Sequence, residues 1–343
     1  VRTMSPRVHD AEWQRIVDDL TRRGLFGAGA VLAASAVLAG CGSEEPRAQG
    51  TSGGGTLRYG WDGFTGQVPK DPRRVVVLDG RVDLEFAMLM GYPIVGAGNF
   101  WFPGERIGFQ FPGRTIETAQ PVNTAGDYRV NFERLLGLDP DLIVMNAYGY
   151  RSDWYGNERL ATIAPLLVVG DDVPPYRDAP VNWRAALDRQ SAQLGRTEQS
   201  RAATRDYDAR LAALRPLLRE RLGGRKIVLG VYAESGFLVH RRTLTTTVCA
   251  EAGLDLPFRD DHDAENGLSL SAEQLGRLDE ADLIIAQVSD PAWRKATAAN
   301  PVWARLPAVA AGKVIDTDAR YNQGFALTAT IFLDVLERAA TLF

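Results

Sequence analysis

Residues 131–144 read NFERLLGLDPDLIV. Asn131 is a helix-capping residue type and Glu133 stands two positions on. A Leu-rich helical pattern follows, then the acidic loop Asp139-Pro140-Asp141, then Leu142-Ile143 leading into an apolar run. The segment therefore encodes a helix over 131–138 that feeds a buried strand over 141–146. A chain built by repeating this unit returns each strand to the same edge by a crossover, which gives a parallel sheet.

The same alternation extends in both directions. Toward the N-terminus lie a strand at 74–78 (RVVVL), a helix at 82–90 and a strand at 93–97; toward the C-terminus another strand follows at 166–169. From 183 to 222 the strand signal disappears. There Tyr207, Leu211, Leu214, Leu218 and Leu222 recur at helical spacing as one apolar stripe. Gly195 divides this region into a short and a long helix, and Pro216 is expected to kink or end the long one near Arg215. Alternation then resumes with a strand at 226–233, helices at 244–252 and 271–278, strands at 282–288 and 314–316, and a helix at 325–342.

Residues 271–285, SAEQLGRLDEADLII, echo the opening segment. Ser271 takes the place of Asn131, Glu273 that of Glu133, and Asp282-Leu283-Ile284 that of Asp141-Leu142-Ile143. The echo predicts a structural duplication. The fold class is α/β: two Rossmann-like α/β lobes joined by a long helix, with a ligand cleft between them. The expected boundaries are 57–195 for the N-terminal lobe, 196–222 for the connecting helix and 223–343 for the C-terminal lobe.

Residues 1–40 have a different character. Arg22-Arg23 precede an uncharged stretch, 24–40, rich in Ala, Gly, Leu and Val, which closes on Leu38-Ala39-Gly40-Cys41. An arginine pair before such a stretch is a twin-arginine export signal. The stretch is short and weakly apolar for a membrane span. Its close resembles the lipobox of bacterial lipoproteins, which implies cleavage before Cys41 and a diacylglycerol on its sulfur. Residues 41–56 are polar and rich in Gly and Ser and cannot fold; such a tether reaches roughly 20 Å. The expected location is the outer face of the cell membrane.

The formal net charge is -4, and removal of five Arg and four acidic residues with 1–40 makes it -5. That argues against a nucleic-acid partner. Only two cysteines exist. With Cys41 lipidated, Cys249 has no disulfide partner and reads as an inert core residue.

The chain resembles the ABC-importer solute-binding proteins for ferric siderophores, haem and cobalamin, whose lobes are joined by one long helix. The resemblance rests on Val68-Pro69 with 72–78 (PRRVVVL), on 131–143, on Ile163-Ala164-Pro165, on Ala281-Asp282-Leu283-Ile284, and on 300–303 (NPVW) with 311–314 (AGKV). Together these span about residues 57–343. The resemblance implies a shallow cleft, modest closure, a ferric siderophore as ligand and an ABC permease as partner, with the binding protein acting as a single copy. It also implies that one Glu per lobe, Glu133 and Glu273, docks on the permease.

Open α/β sheets place ligands at the carboxyl ends of their strands. That rule selects Arg81, Trp101, Phe102, Tyr148, Tyr150, Arg151 and Trp154 in the first lobe. In the second it selects Arg241, Arg242, Gln287, Arg320, Tyr321 and Asn322. Arg offers planar donors to chelator oxygens, and Trp and Tyr offer flat faces. Several arginines at these loops favour an anionic ligand. No cofactor and no metal ligand are expected, because a chelator already saturates its iron. Haem through Tyr148, Tyr150 or His240, or cobalamin, is the alternative within the same transporter type. An extracytoplasmic enzyme or a sensor is the alternative outside it. For an enzyme, Gly96-Ala97-Gly98 starts a dinucleotide-like turn, but Trp101 occupies the third glycine position.

Overall fold

A computed structural model of the chain describes residues 55–343, apart from 100–101, 103–104, 114–115, 117–118, 124–128, 175–180 and 259–266. The export signal, Cys41, the tether as far as residue 54, and Trp101 lie outside the described residues.

The described chain opens with an antiparallel hairpin, β1 (Thr56–Trp61) and β2 (Phe64–Pro69). Asp62 and Gly63 join the strands with φ of 50° and 83°. Two positive values in succession are what a two-residue primed turn requires.

The first lobe then follows as β3 (Val75–Val77), α1 (Val82–Leu89), β4 (Ile94–Ala97), β5 (Gln120–Pro121), α2 (Phe132–Gly137), β6 (Leu142–Asn146), α3 (Ala147–Arg151), α4 (Asn157–Ile163) and β7 (Leu166–Val169). Its sheet has the order β5-β4-β3-β6-β7, and every pairing is parallel. Strands β3, β6 and β7 are buried along their whole length. Burial on both faces explains their unbroken apolar sequence.

Helix α5 (Trp183–Gln193) leads through Gly195 (φ 66°) into α6 (Thr197–Leu222), which connects the lobes. The stripe Tyr207, Leu211, Leu214, Leu218 and Leu222 is fully buried, largely against α11 (Ala326–Ala340). Each such side chain contributes roughly 1.5–3 kcal/mol by burial. The helix α6 spans nearly the whole expected range of 196–222; of the two outcomes expected at Pro216, an end near Arg215 does not occur, and the proline sits inside a helix that runs on to Leu222. The proline forgoes one backbone hydrogen bond, and burial of Leu214, Leu218 and Leu222 on either side holds the helix through it.

The second lobe comprises β8 (Ile227–Ala233), β9 (Gly236–His240), α7 (Leu244–Glu251), β10 (Gly267–Ser271), β11 (Leu283–Gln287), α8 (Pro291–Ala298), α9 (Pro301–Arg305), α10 (Pro307–Ala310), β12 (Val314–Thr317) and α11. Its sheet order, β10-β9-β8-β11-β12, repeats that of the first lobe strand for strand. Asp141 and Asp282 carry the same duty in the two lobes. Asp141 accepts from the N–H of Arg73 and Arg74 at 2.7 and 2.9 Å, and Asp282 accepts from that of Lys226 at 2.8 Å. Each ties the entry of the neighbouring strand β6 or β11 to the start of the central strand β3 or β8. The Asp-Leu-Ile echo therefore has a structural cause.

The duplication is imperfect. Strand β9 is antiparallel to β8, whereas β4 is parallel to β3. A two-residue turn at Glu234-Ser235 replaces the crossover helix. The expected helix over 271–278 is also absent: Ser271 ends β10, Glu273 stands in a turn, and only a 3-10 turn at Leu275–Leu278 remains. Ser271 pairs with Gly236 at the end of the ladder, and its hydroxyl donates to the Glu273 carboxylate instead of accepting from a helix N–H.

Side chains alternate across the second sheet. Ile227, Leu229, Leu283 and Ile285 join the large core that runs through α6, α7 and α11 into the first lobe, while Val228, Tyr232, Ile284 and Ala286 form a separate core with Phe237 and Trp303. Cys249 is fully buried in the larger core, and burial pushes its thiol up.

Candidate functional site

The two lobes meet through loops at the ends of their strands. In the first lobe, the loop after β3 is wrapped around Asp83. Its carboxylate accepts from the N–H of Leu78, Asp79, Gly80 and Arg81 at 2.7–3.2 Å. Burial raises the Asp83 carboxyl, opposing these donors. Gly80 has φ of 82°, and a Cβ there would lie 2.2 Å from the Gly98 carbonyl oxygen. Only glycine lets the loops after β3 and β4 approach so closely.

Across the interface, α11 has no side-chain cap of its own. Glu85, on α1, supplies one. It accepts from the N–H of Phe325 and Leu327, both at 2.7 Å, and of Thr328 at 3.3 Å. Burial raises the Glu85 carboxyl, and the Thr328 hydroxyl and the backbone donors oppose that rise. A carboxylate at a helix N-terminus is favoured by the helix dipole. Beside it, Asp171 accepts from the Gly324 N–H at 2.9 Å, and Asp172 pairs with Arg242 at 2.8 Å. Val181 accepts from the Thr247 hydroxyl at 2.9 Å. Arg320 lies over the ring of Phe109, 4.6 Å from its centroid.

Strand β6 lies between β3 and β7 in the sheet. The segment after it therefore emerges between the loops of Arg81 and Asp171. Here stand the two largest exposed aromatics among the described residues, Tyr148 at 50% and Trp154 at 42% exposure. Their rings meet edge to face at 4.9 Å. Arg151 lies 5.9 Å from the centre of the Tyr148 ring and is held by Asp62 of the β1–β2 turn. Tyr150 points the other way and packs edge-on against Phe64 at 5.4 Å. Phe102 is buried against Phe109 at 5.0 Å.

In the second lobe, Asn322 donates to the Gln287 side chain and accepts at its carbonyl from the Leu244 N–H at 3.2 Å. This gathers the ends of β11 and β12 and the start of α7 into one group. Arg241 is buried there. Gln287 is buried and donates to Ser289 at 2.5 Å. Arg320 makes a two-pronged pair with Asp318 at 2.6–2.9 Å, and Tyr321 packs on Phe332. Burial holds the neighbouring His240 neutral, its pKa lowered to about 4.

The structure thus brings Arg81, Tyr148, Arg151 and Trp154 to the strand ends of one lobe and Arg241, Arg242, Gln287, Arg320 and Asn322 to the other. Tyr150, Phe102 and Tyr321 serve packing. Glu133 is exposed in the first turn of α2, and Glu273 is exposed in the turn before β11, where its carboxyl is held low by its own backbone N–H and by the Ser271 hydroxyl. Sequence reasoning missed Glu85, Asp171 and Asp62. The available signals were an acid inside the apolar helix VDLEFAML, an acid pair directly after a buried strand, and an Asp-Gly turn between Trp61 and Phe64.

A family model described as periplasmic binding protein matches residues 111–321. No curated protein matches the sequence. Several solved structures share the fold. The siderophore-binding protein FhuD of Vibrio cholerae, bound to Fe3+-Desferal, is 18% identical with a TM-score of 0.62, over 79% of this chain and 98% of that one. Staphylococcus aureus SirA, complexed with staphyloferrin B, is 19% identical with a TM-score of 0.62, over 83% and 98%. Bacillus subtilis FeuA, complexed with ferri-bacillibactin, is 18% identical with a TM-score of 0.62, over 83% and 98%.

Proposed function

The chain belongs to the periplasmic binding protein family, and from that premise we propose that it captures a ferric siderophore between its lobes and delivers it to an ABC permease for iron uptake. The observation that carries this reading is the edge-to-face pair of Tyr148 and Trp154, left exposed beside Arg151 at the mouth of an otherwise well-packed lobe. Exposed aromatic faces beside polar donors suit a bulky chelate with flat and oxygen-rich portions. The ligands named in the related structures are such chelates.

In this reading the protein acts as a single copy, performs no catalysis and holds no resident cofactor. Arg241, Arg242, Gln287, Arg320 and Asn322 line the opposite wall, Arg81 joins the near one, and Phe102, Tyr150 and Tyr321 support the walls by packing behind them. Glu133 and Glu273 dock the lobes on the permease. The twin-arginine signal exports the chain, and the lipid on Cys41 keeps it on the outer face of the membrane beside its partner.

Quenching of tryptophan fluorescence, with Trp154 as the reporter, tests the reading against ferric siderophores, haem and cobalamin. Saturable quenching by a ferric siderophore is expected. Binding of haem or cobalamin alone, or of none of these, would overturn it.

A further inference from the structure

The hairpin β1–β2 stands outside both five-stranded sheets, yet it is fixed to the first lobe along its length. The Tyr59 hydroxyl donates to the Val168 carbonyl at 2.9 Å, and the Gly60 N–H donates to the Gln193 side chain at 2.9 Å. Trp61 is buried beside Gly170, where an added Cβ would come within 3.0 Å of the indole Nε1. The turn that joins the two strands is therefore held in place by β7 and α5.

From that place the hairpin grips α3 twice. Phe64 meets the ring of Tyr150 edge-on, and Asp62 accepts from the guanidinium of Arg151. Tyr150 and Arg151 are consecutive, so the two contacts take neighbouring sides of this short helix. Arg151 stands three residues after Tyr148, on the same helical face, and lies 5.9 Å from the centre of its ring. That ring in turn meets Trp154. A chain of contacts thus runs from Asp62, only 10% exposed, through Arg151, 41% exposed, to the two open rings.

The turn itself does not require a carboxylate. Asp62 has φ of 50° and Gly63 of 83°, and Asn-Gly fills such a two-residue turn at least as well. A partly exposed ion pair adds little to stability. What Asp supplies beyond Asn at this position is negative charge, and Arg151 receives it.

On the reading that Tyr148 and Trp154 meet a ferric siderophore, we propose that Asp62 is a positioning residue of the ligand site. It holds the Arg151 guanidinium beside the Tyr148 ring, so that the cation and the two rings face the ligand as one preformed wall. The hairpin is then part of the binding machinery without contacting the ligand. A side chain that must be immobilised during binding lowers affinity by about three- to tenfold, and Asp62 removes that cost beforehand.

The test uses the full-length protein in detergent, with fluorotryptophan in place of tryptophan. Trp154→Phe identifies the fluorine resonance of Trp154. In the ligand-free protein, Asp62→Asn is expected to move that resonance and to leave the melting temperature unchanged. The move should vanish in the Arg151→Ala background, because the effect passes through the guanidinium. Affinity is then measured for a ferric trihydroxamate, a ferric tricatecholate and a ferric carboxylate chelate, in high salt, which screens the charge released on Arg151. Asp62→Asn should weaken whichever of these the wild type binds by about three- to tenfold, and should cost nothing further in the Arg151→Ala background. An unmoved resonance, or the same move without Arg151, would overturn the positioning role. A moved resonance with affinity unchanged or raised would overturn its part in binding and leave the siderophore reading intact. Failure of all three chelates against the wild type would overturn that reading and this use of the wall with it, whereas the resonance, which needs no ligand, would still decide whether Asp62 places Arg151.

Discussion

Thr328 donates its hydroxyl to Glu85 across the lobe interface at 2.5 Å, although 243 residues separate them in sequence. Glu85 belongs to one lobe and Thr328 to the first turn of the last helix of the other. A helix that lacks its own cap is therefore capped by a buried carboxylate from the opposite domain. Around this contact Gly324 is obligatory: at φ 151°, a Cβ would lie 2.4 Å from Glu85 Oε2 and 2.3 Å from Thr328 Oγ1.

Replacing Glu85 with Ala leaves several buried N–H groups without an acceptor. A loss of about 2–4 kcal/mol is expected in denaturant unfolding. Hydrogen exchange should rise specifically at residues 324–328. Glu85→Gln, which keeps one acceptor oxygen, should recover part of the loss. An alanine variant as stable as the parent would show that the contact holds nothing.

Asp171 makes stability depend on pH. Its carboxyl is raised to about 7, by burial first, with the Asp172 charge adding and the Gly324 N–H opposing. The folded state therefore holds this proton more tightly than the unfolded chain, whose carboxyl titrates near 4. The contribution is complete below about pH 4 and is lost as pH rises toward 7, with a slope of at most about 1.4 kcal/mol per pH unit. Asp171→Asn should flatten the melting temperature across that window, and an unchanged slope would assign the titration elsewhere.

Tyr148→Ala with Trp154→Ala should weaken ligand binding by about 10–100-fold. Both side chains are largely exposed, so the melting temperature should hardly move. Loss of stability with unchanged affinity would mark the pair as packing.

Charge reversal of Glu133 and Glu273 together should abolish uptake in cells and leave affinity for the ligand intact. Both carboxylates are exposed. Normal uptake by the double variant would remove them from the docking surface.

Asp141→Ala and Asp282→Ala should each cost about 0.5–1.5 kcal/mol, since Asp141 is the acceptor for two backbone N–H groups and Asp282 for one at the start of a central strand. Guanidinium titration of the two variants measures whether the lobes truly share this device.

The parallel strands were legible because burial on both faces writes continuous apolar runs, as in Val75–Val77 and Leu166–Val169. The connecting helix was legible from its Leu stripe. The hairpin at the start was missed although Asp62-Gly63 announces it. Strands β9 and β10 were missed because Gly, Ser and a single His interrupt their apolar residues. The helix expected at 271 failed: Ser271 closes a ladder with Gly236 and its hydroxyl turns to Glu273, so the capping signal read from its residue type was spent locally. At the site, residue types and loop positions could be read, but the state of the arginines could not in full. Asp79 and Asp318 were within sight, two residues away, whereas Asp62 and Asp172 reach Arg151 and Arg242 from 89 and 70 residues away.

The capping of α11 by Glu85 also orders events during synthesis. The donors at Phe325, Leu327 and Thr328 are made 240 or more residues after their acceptor. Until they emerge, Glu85 has no helix to hold, and the stripe of α6 lacks the partner that covers it. Lobe docking is thus a late step that closes a very long loop. A nascent chain stalled before residue 325 would present an open, apolar seam, which is the state that chaperones would have to guard.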